Sequence, residues 1–133
     1  MALGRILVID DQVSARQVVG LTLSRAGYEV LEAEDGNKAI EIMGRDNNAS
    51  KVSTVICDLA MPNLSGSQTI SYFKAHHPLI PIVILTGAPD FVLTEVLREQ
   101  GVTDYLLKPV SDKRLLGVVG VSVRLHALRK RQS

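Results

Sequence analysis

The sequence predicts a three-layer α/β sandwich in which five parallel strands alternate with five helices, joined by right-handed crossovers. Three observations carry that reading. Short uninterrupted apolar runs, Ile6-Leu7-Val8-Ile9, Val55-Ile56-Cys57, Ile82-Val83-Ile84-Leu85 and Tyr105-Leu106-Leu107, have the composition of strands buried on both faces. Between the runs the apolar period lengthens from about 2 to about 3.6 residues, as repeated βα units require. Each run also ends on polar chemistry: Asp10 with Asp11, then Asp58, Thr86 and Lys108. Parallel strands bring their carboxyl ends to one edge of the sheet, where open α/β sheets bind ligands. Three carboxylates, a hydroxyl and an ammonium are therefore expected to converge there.

The elements follow in order. After the first strand, Val19, Leu23 and Ala26 line one face of a first helix that ends at Gly27. Asp35 has the character of an N-cap for a second helix from about Gly36 to Arg45, with Ala39, Ile40 and Met43 facing the core. Asp46-Asn47-Asn48-Ala49-Ser50 reads as an exposed loop. A third helix follows Gly66 and stops before Pro78, with His76-His77 at its surface end; a fourth starts near Pro89 and stops at Gly101. A fifth begins around Ser111 and Asp112.

That last helix has more apolar residues than one face needs. Leu115, Val119 and Val123 suit packing on the sheet, while Val118, Val121, Leu125 and Leu128 form a second stripe with the spacing of a heptad seam. Gly117 and Gly120 weaken the helix by about 1 kcal/mol each relative to Ala. Two readings stand: a broadly buried helix with a frayed end, or a docking or dimer surface. The basic tail (Arg124, His126, Arg129, Lys130, Arg131) has no aromatics and no DNA-reading motif. It reads as a solvated helix end or the stub of a linker.

A chain of 133 residues fits one domain with a sizeable core. Its net charge of +1 supplies no global field for nucleic acid or anionic lipid. No apolar stretch approaches the roughly 20 residues of a membrane span, and no signal-peptide pattern precedes the first strand, so a cytoplasmic location is expected. The single Cys57 suits a buried thiol in a reducing compartment.

The chemistry follows from the spacing. Two adjacent carboxylates and a third on another strand are too negative to share a pocket without a counter-charge. Mg²⁺ answers best, since it favours carboxylates, a carbonyl and retained waters. Helix capping is the alternative for Asp10-Asp11, although one Asp would suffice for a cap. A carboxylate beside a metal can attack phosphorus to form an aspartyl phosphate if other groups neutralise the phosphoryl oxygens. Thr86 and Lys108 suit that task, because phosphoryl transfer needs mainly positioning and charge neutralisation.

On these residues the chain resembles the receiver domains of two-component response regulators, of the chemotaxis-regulator kind. The acid pair Asp10-Asp11, the motif Asp58-Leu59-Ala60-Met61-Pro62 closing at Gly66, the segment Thr86-Gly87-Ala88, and Lys108-Pro109 carry the likeness, which covers residues 5 to about 125. The resemblance implies a flavodoxin-like fold of strand order 2-1-3-4-5, with a receiver domain over residues 1–125 and a tail or linker over 126–133. It implies phosphoryl transfer to Asp58 from a sensor histidine kinase or phosphotransfer protein. Asp11 would bind Mg²⁺ directly, Asp10 largely through water, and Ala60 through its carbonyl. Thr86 and Lys108 would hold the phosphoryl oxygens. Thr86 and Tyr105 would form a switch, and the Lys108-Pro109 bond would be cis. The surface of the fourth helix, fifth strand and fifth helix would change, and a homodimer could form through it, with no nucleic acid or membrane contacted directly. No enzyme activity is implied beyond self-phosphorylation and slow autodephosphorylation, and the small Ala60 and Ala88 should neither assist nor obstruct that hydrolysis. Two alternatives remain. One is a receiver-like module that binds partners without phosphorylation. The other, a haloacid-dehalogenase-type hydrolase, would want an Asp where Ala60 stands.

Overall fold

The computed structural model describes all residues except Met1, Pro62, Asn63, Leu64 and Pro89. The strands are β1 (Arg5–Ile9), β2 (Glu29–Ala33), β3 (Val52–Cys57), β4 (Ile82–Thr86) and β5 (Asp104–Leu107). They form one parallel sheet in the order β2-β1-β3-β4-β5, the flavodoxin-like order that the resemblance implies. The described helices are α1 (Val13–Arg25), α2 (Gly36–Met43), α3 (Asn48–Lys51), α4 (Gly66–His76), α5 (Phe91–Glu99) and α6 (Asp112–Gln132).

Alternation along the strands builds two cores. Ile6 and Val8 of β1 join Val19 and Leu23 of α1 and Leu115, Val118 and Val119 of α6 on one face. Leu7 and Ile9 join Ala39 and Met43 of α2, Ile70 and Phe73 of α4, and Leu97 of α5 on the other. Successive strand residues point to opposite faces, so a sheet covered on both sides needs apolar residues at every position. β3, the central strand, is buried along its whole length.

Local chemistry sets the helix ends. Asp35 caps α2 by accepting from the Lys38 N–H at 2.8 Å, and Asp90 caps α5 by accepting from the Leu93 N–H at 3.0 Å. Ser65 and Gln68 close a reciprocal capping box at the start of α4. Gly27, at φ 104°, lets the chain leave α1 in a conformation that other residues resist. The expected start of α5 at Pro89 lies outside the described residues, as do Pro62, Asn63 and Leu64 of the loop after Asp58.

Three expectations need correction. Residues 46–50 are exposed apart from Asn48 but are not a plain loop: Asp46 and Asn47 adopt positive φ (51° and 59°), and the chain turns into the short helix α3. Asn48 is 3% exposed there, donating to the Ile42 carbonyl at 2.8 Å and accepting from Arg5 at 2.8 Å. The helix count therefore rises from five to six, and the expected fourth and fifth helices are α5 and α6. α2 ends at Met43 rather than near Arg45. Finally, Val118 belongs to the core at 6% exposure and not to a second stripe, while Val121 and Leu128 stay exposed at 61% and 51%. α6 packs closely on β3, and a helix against a sheet centre buries a face wide enough to include Val118.

Candidate functional site

The strand ends meet at the carboxyl edge. The Asp10 N–H donates to the Ala33 carbonyl of β2 at 3.0 Å, and the Asp58 N–H donates to the Ile9 carbonyl of β1 at 3.0 Å, so the sheet ladder continues through both acids. Carboxylate oxygens of Asp10, Asp11 and Asp58 all lie within 4.8 Å of one another. Asp10 and Asp58 are buried and Asp11 is exposed. This is the one such cluster among the described residues.

Each buried carboxylate divides its oxygens between a backbone amide and Lys108. Asp10 Oδ1 accepts from the Gln12 N–H at 2.9 Å, and its Oδ2 lies 2.7 Å from Lys108 Nζ. Asp58 Oδ1 accepts from the Ala60 N–H at 3.0 Å, and its Oδ2 lies 2.9 Å from the same Nζ. Partial burial works against the Lys108 charge, but hydrogen bonds to Asp10 and Asp58 and their negative charges prevail and raise its pKa. Burial, then the charges of Asp58 and Asp10, pushes the neighbouring Cys57 thiol up, so it stays protonated.

Gly66 shapes the loop after Asp58. A Cβ there would sit 2.4 Å from both the Asp58 carbonyl oxygen and Leu59 Cα, so only glycine lets α4 begin against that backbone.

Asp10, Asp11, Asp58 and Lys108 are brought together; Thr86 and Tyr105 occupy the adjoining strands. Thr86 ends β4 fully buried, with Oγ1 accepting from the Ala88 N–H at 3.2 Å. Its carbonyl accepts from the Lys108 N–H at 2.9 Å, so the lysine is anchored to the threonine's strand. Tyr105 pairs with Ile84, and its hydroxyl is buried with no hydrogen-bond partner among the described residues. The Lys108-Pro109 peptide is cis. Ala60 and Ala88 are both exposed.

Two residues at the site escaped the sequence reading. Gln12 accepts from Lys108 Nζ through Oε1 at 3.3 Å. Arg16 donates to the Asp10 carbonyl at 2.7 Å. The signal for Arg16 was a cation one turn into the helix after the acid pair, since helical side chains lean toward the N-terminus.

The donor set suits a hard divalent cation: three carboxylates close together, no thiolate or imidazole among them, and one ammonium as partial counter-charge.

A parallel α/β sheet with an acid cluster and a lysine at its carboxyl edge places the chain among the α/β domains that act at their strand ends. The profile described as the response regulator receiver domain matches residues 6–120, and the chain belongs to that family, the receiver domains of two-component signalling. It is 36% identical over 111 residues to the probable transcriptional regulator ycf27 of Porphyridium aerugineum, covering 84% of this chain and 44% of that protein. It is 31% identical over 122 residues to the CAI-1 autoinducer sensor kinase/phosphatase CqsS of Vibrio cholerae, covering 90% of this chain and 17% of that protein. The chain thus spans less than half the length of either curated relative. Among solved structures, a response regulator receiver domain protein from Clostridium thermocellum superposes with a TM-score of 0.88 at 31% identity, covering 95% of this chain and 98% of that one.

Proposed function

We propose that this domain accepts a phosphoryl group on Asp58 from the phosphohistidine of a sensor histidine kinase or phosphotransfer protein. The observation that carries the reading is the pair of contacts from Lys108 Nζ to Asp58 and Asp10, beside the exposed Asp11. A carboxylate oxygen of Asp58 forms a P–O bond while the donor's P–N bond breaks, and the imidazole leaves with the bonding electron pair. Lys108 offsets the charge on the phosphoryl oxygens, and Thr86 supplies a hydroxyl once it turns from Ala88. Asp10, Asp11, Asp58 and the Ala60 carbonyl would hold Mg²⁺, which when bound neutralises phosphoryl charge.

Residues 1–125 are read as the receiver unit and 126–133, which continue α6, as a basic tail or the start of a linker. The changed surface comprises α5, β5 and α6, which exposes Phe91 at 82% and Val121 at 61% and suits a partner or a second copy. Thr86 and Tyr105 link Asp58 to that surface. The single thiol accords with a cytoplasmic setting, and no described helix is long and apolar enough to cross a membrane.

Incubation with Mg²⁺ and acetyl phosphate, followed by peptide mass spectrometry, tests the reading. One phosphoryl group at Asp58, absent from Asp58→Asn, is expected. An unmodified Asp58, together with no spectral change at Tyr105 in comparison with a Tyr105→Phe variant on adding beryllofluoride and Mg²⁺, would favour a module that works without phosphorylation.

A further inference from the structure

Arg16 reaches the acid cluster from the side of β2. One guanidinium nitrogen donates to the Asp10 carbonyl at 2.7 Å, and Nε donates to the Glu32 carboxylate of β2 at 3.0 Å. That carbonyl belongs to the peptide group joining Asp10 to Asp11. The N–H of Asp10 is itself bonded to the β2 carbonyl of Ala33. Asp10 is therefore fastened to β2 on both of its main-chain sides, directly at Ala33 and through Arg16 at Glu32. The Arg16 side chain is only 14% exposed and its bond to the Asp10 carbonyl is partly buried, while the Glu32 carboxylate on its other side is 40% exposed.

We infer that Arg16 is a positioning residue for cation binding: it fixes the plane of the Asp10-Asp11 peptide and thereby the direction in which Asp11 presents its carboxylate. The inference rests on the acid cluster being a Mg²⁺ site. Charge and geometry predict opposite signs, which makes the role testable. If Arg16 acted through its positive charge, removing it would tighten Mg²⁺ binding. The ion pair with Glu32 already balances that charge, so geometry dominates and removal weakens binding. Supporting contacts around metal ligands are worth about 10- to 100-fold in affinity, and a contact made through the backbone belongs at the lower end.

Calorimetric titration of the full chain with MgCl₂ at fixed ionic strength reads this directly, beside melting temperatures in EDTA. Arg16→Ala is expected to weaken Mg²⁺ binding about tenfold. The Mg²⁺ concentration for half-maximal labelling by acetyl phosphate should rise by the same factor. Arg16→Lys, which keeps one donor, should recover part of the loss. If Arg16→Ala does not fold, Arg16→Lys and Arg16→Gln read the same quantity, each expected to weaken binding a few-fold, where loss of charge alone in Arg16→Gln would tighten it. Unchanged or tighter Mg²⁺ binding in these variants, with only the melting temperature lowered, overturns the inference while the wild-type titration upholds the site. A wild-type chain that takes up no Mg²⁺ overturns both.

Discussion

Lys108 Nζ sits closer to Asp10 than to Asp58, 2.7 Å against 2.9 Å, so a single ammonium serves as counter-charge to two buried carboxylates on different strands. A divalent cation entering the cluster would compete with that ammonium for the same oxygens. At such separations an ion pair is worth several kcal/mol at an effective dielectric of about 20, enough for the competition to be measurable.

Lys108→Met keeps the apolar stem and removes the charge. It is expected to bind Mg²⁺ several-fold more tightly than wild type and to label with acetyl phosphate far more slowly, because the group opposite the phosphoryl oxygens is gone. Calorimetry and labelling rates separate the two effects. Weaker Mg²⁺ binding would show that Lys108 organises the carboxylates rather than competing for them.

Asp11 is the exposed member of a three-carboxylate cluster whose lysine, Lys108, pairs with Asp10 and Asp58. Without metal, that arrangement leaves like charges unbalanced, so Asp11→Asn should stabilise the metal-free protein by about 1 kcal/mol, or roughly 4 °C in Tm. Added Mg²⁺ should raise the wild-type Tm by mass action and leave the variant's nearly unchanged. Thermal scans in EDTA and in excess Mg²⁺ give both values, and a destabilised metal-free variant would contradict the repulsion argument.

Strand ends were legible because burial on both faces demands unbroken apolar runs, so Asp10, Asp58, Thr86 and Lys108 stand out where each run stops. Asp35 was legible because a cap is a local hydrogen bond. Asn48 was not, since its burial depends on Arg5, distant in sequence, and on a backbone carbonyl that leaves no mark in the sequence. Arg16 had a positional signal, one turn into α1 after the acid pair, but its partner, the Asp10 carbonyl, leaves none. Periodicity assigned Val118 to the wrong stripe because spacing fixes the direction of a helix face but not how wide a face the sheet will cover.

The two hydrogen bonds of Asn48 make it a structural residue of α3. Asn48→Ala removes one of two donors to the Ile42 carbonyl, the Arg45 N–H remaining at 3.1 Å, and should cost about 1 kcal/mol in urea unfolding at unchanged m-value. Arg5 keeps its ion pair with Glu29 at 2.8 Å, which limits the loss. Asn48→Asp retains the acceptor toward Arg5 but turns an oxygen on the Ile42 carbonyl, so it too should destabilise. An effect of Asn48→Ala within about 0.5 kcal/mol would return the segment to an ordinary exposed loop.

His126 of α6 is 7% exposed and lines a groove with Ala49, Ser50, His76, His77, Pro78 and Lys130. Burial first, then the charges of Lys130 and Arg129, lowers its pKa; burial and His76 lower that of His77. The neutral imidazole is favoured in the folded chain, so the unfolded chain binds more protons between the depressed native values and the ordinary value of about 6.5. Stability therefore rises with pH across that window, is fully present above about 6.5, and is lost as the pH falls through the native pKa values. Unfolding free energies measured from pH 7 to pH 5 should decline in the wild type. His126→Gln should decline less steeply, and the double variant with His77→Gln less again. A slope in the double variant equal to that of the wild type would assign the acid sensitivity to carboxylates instead.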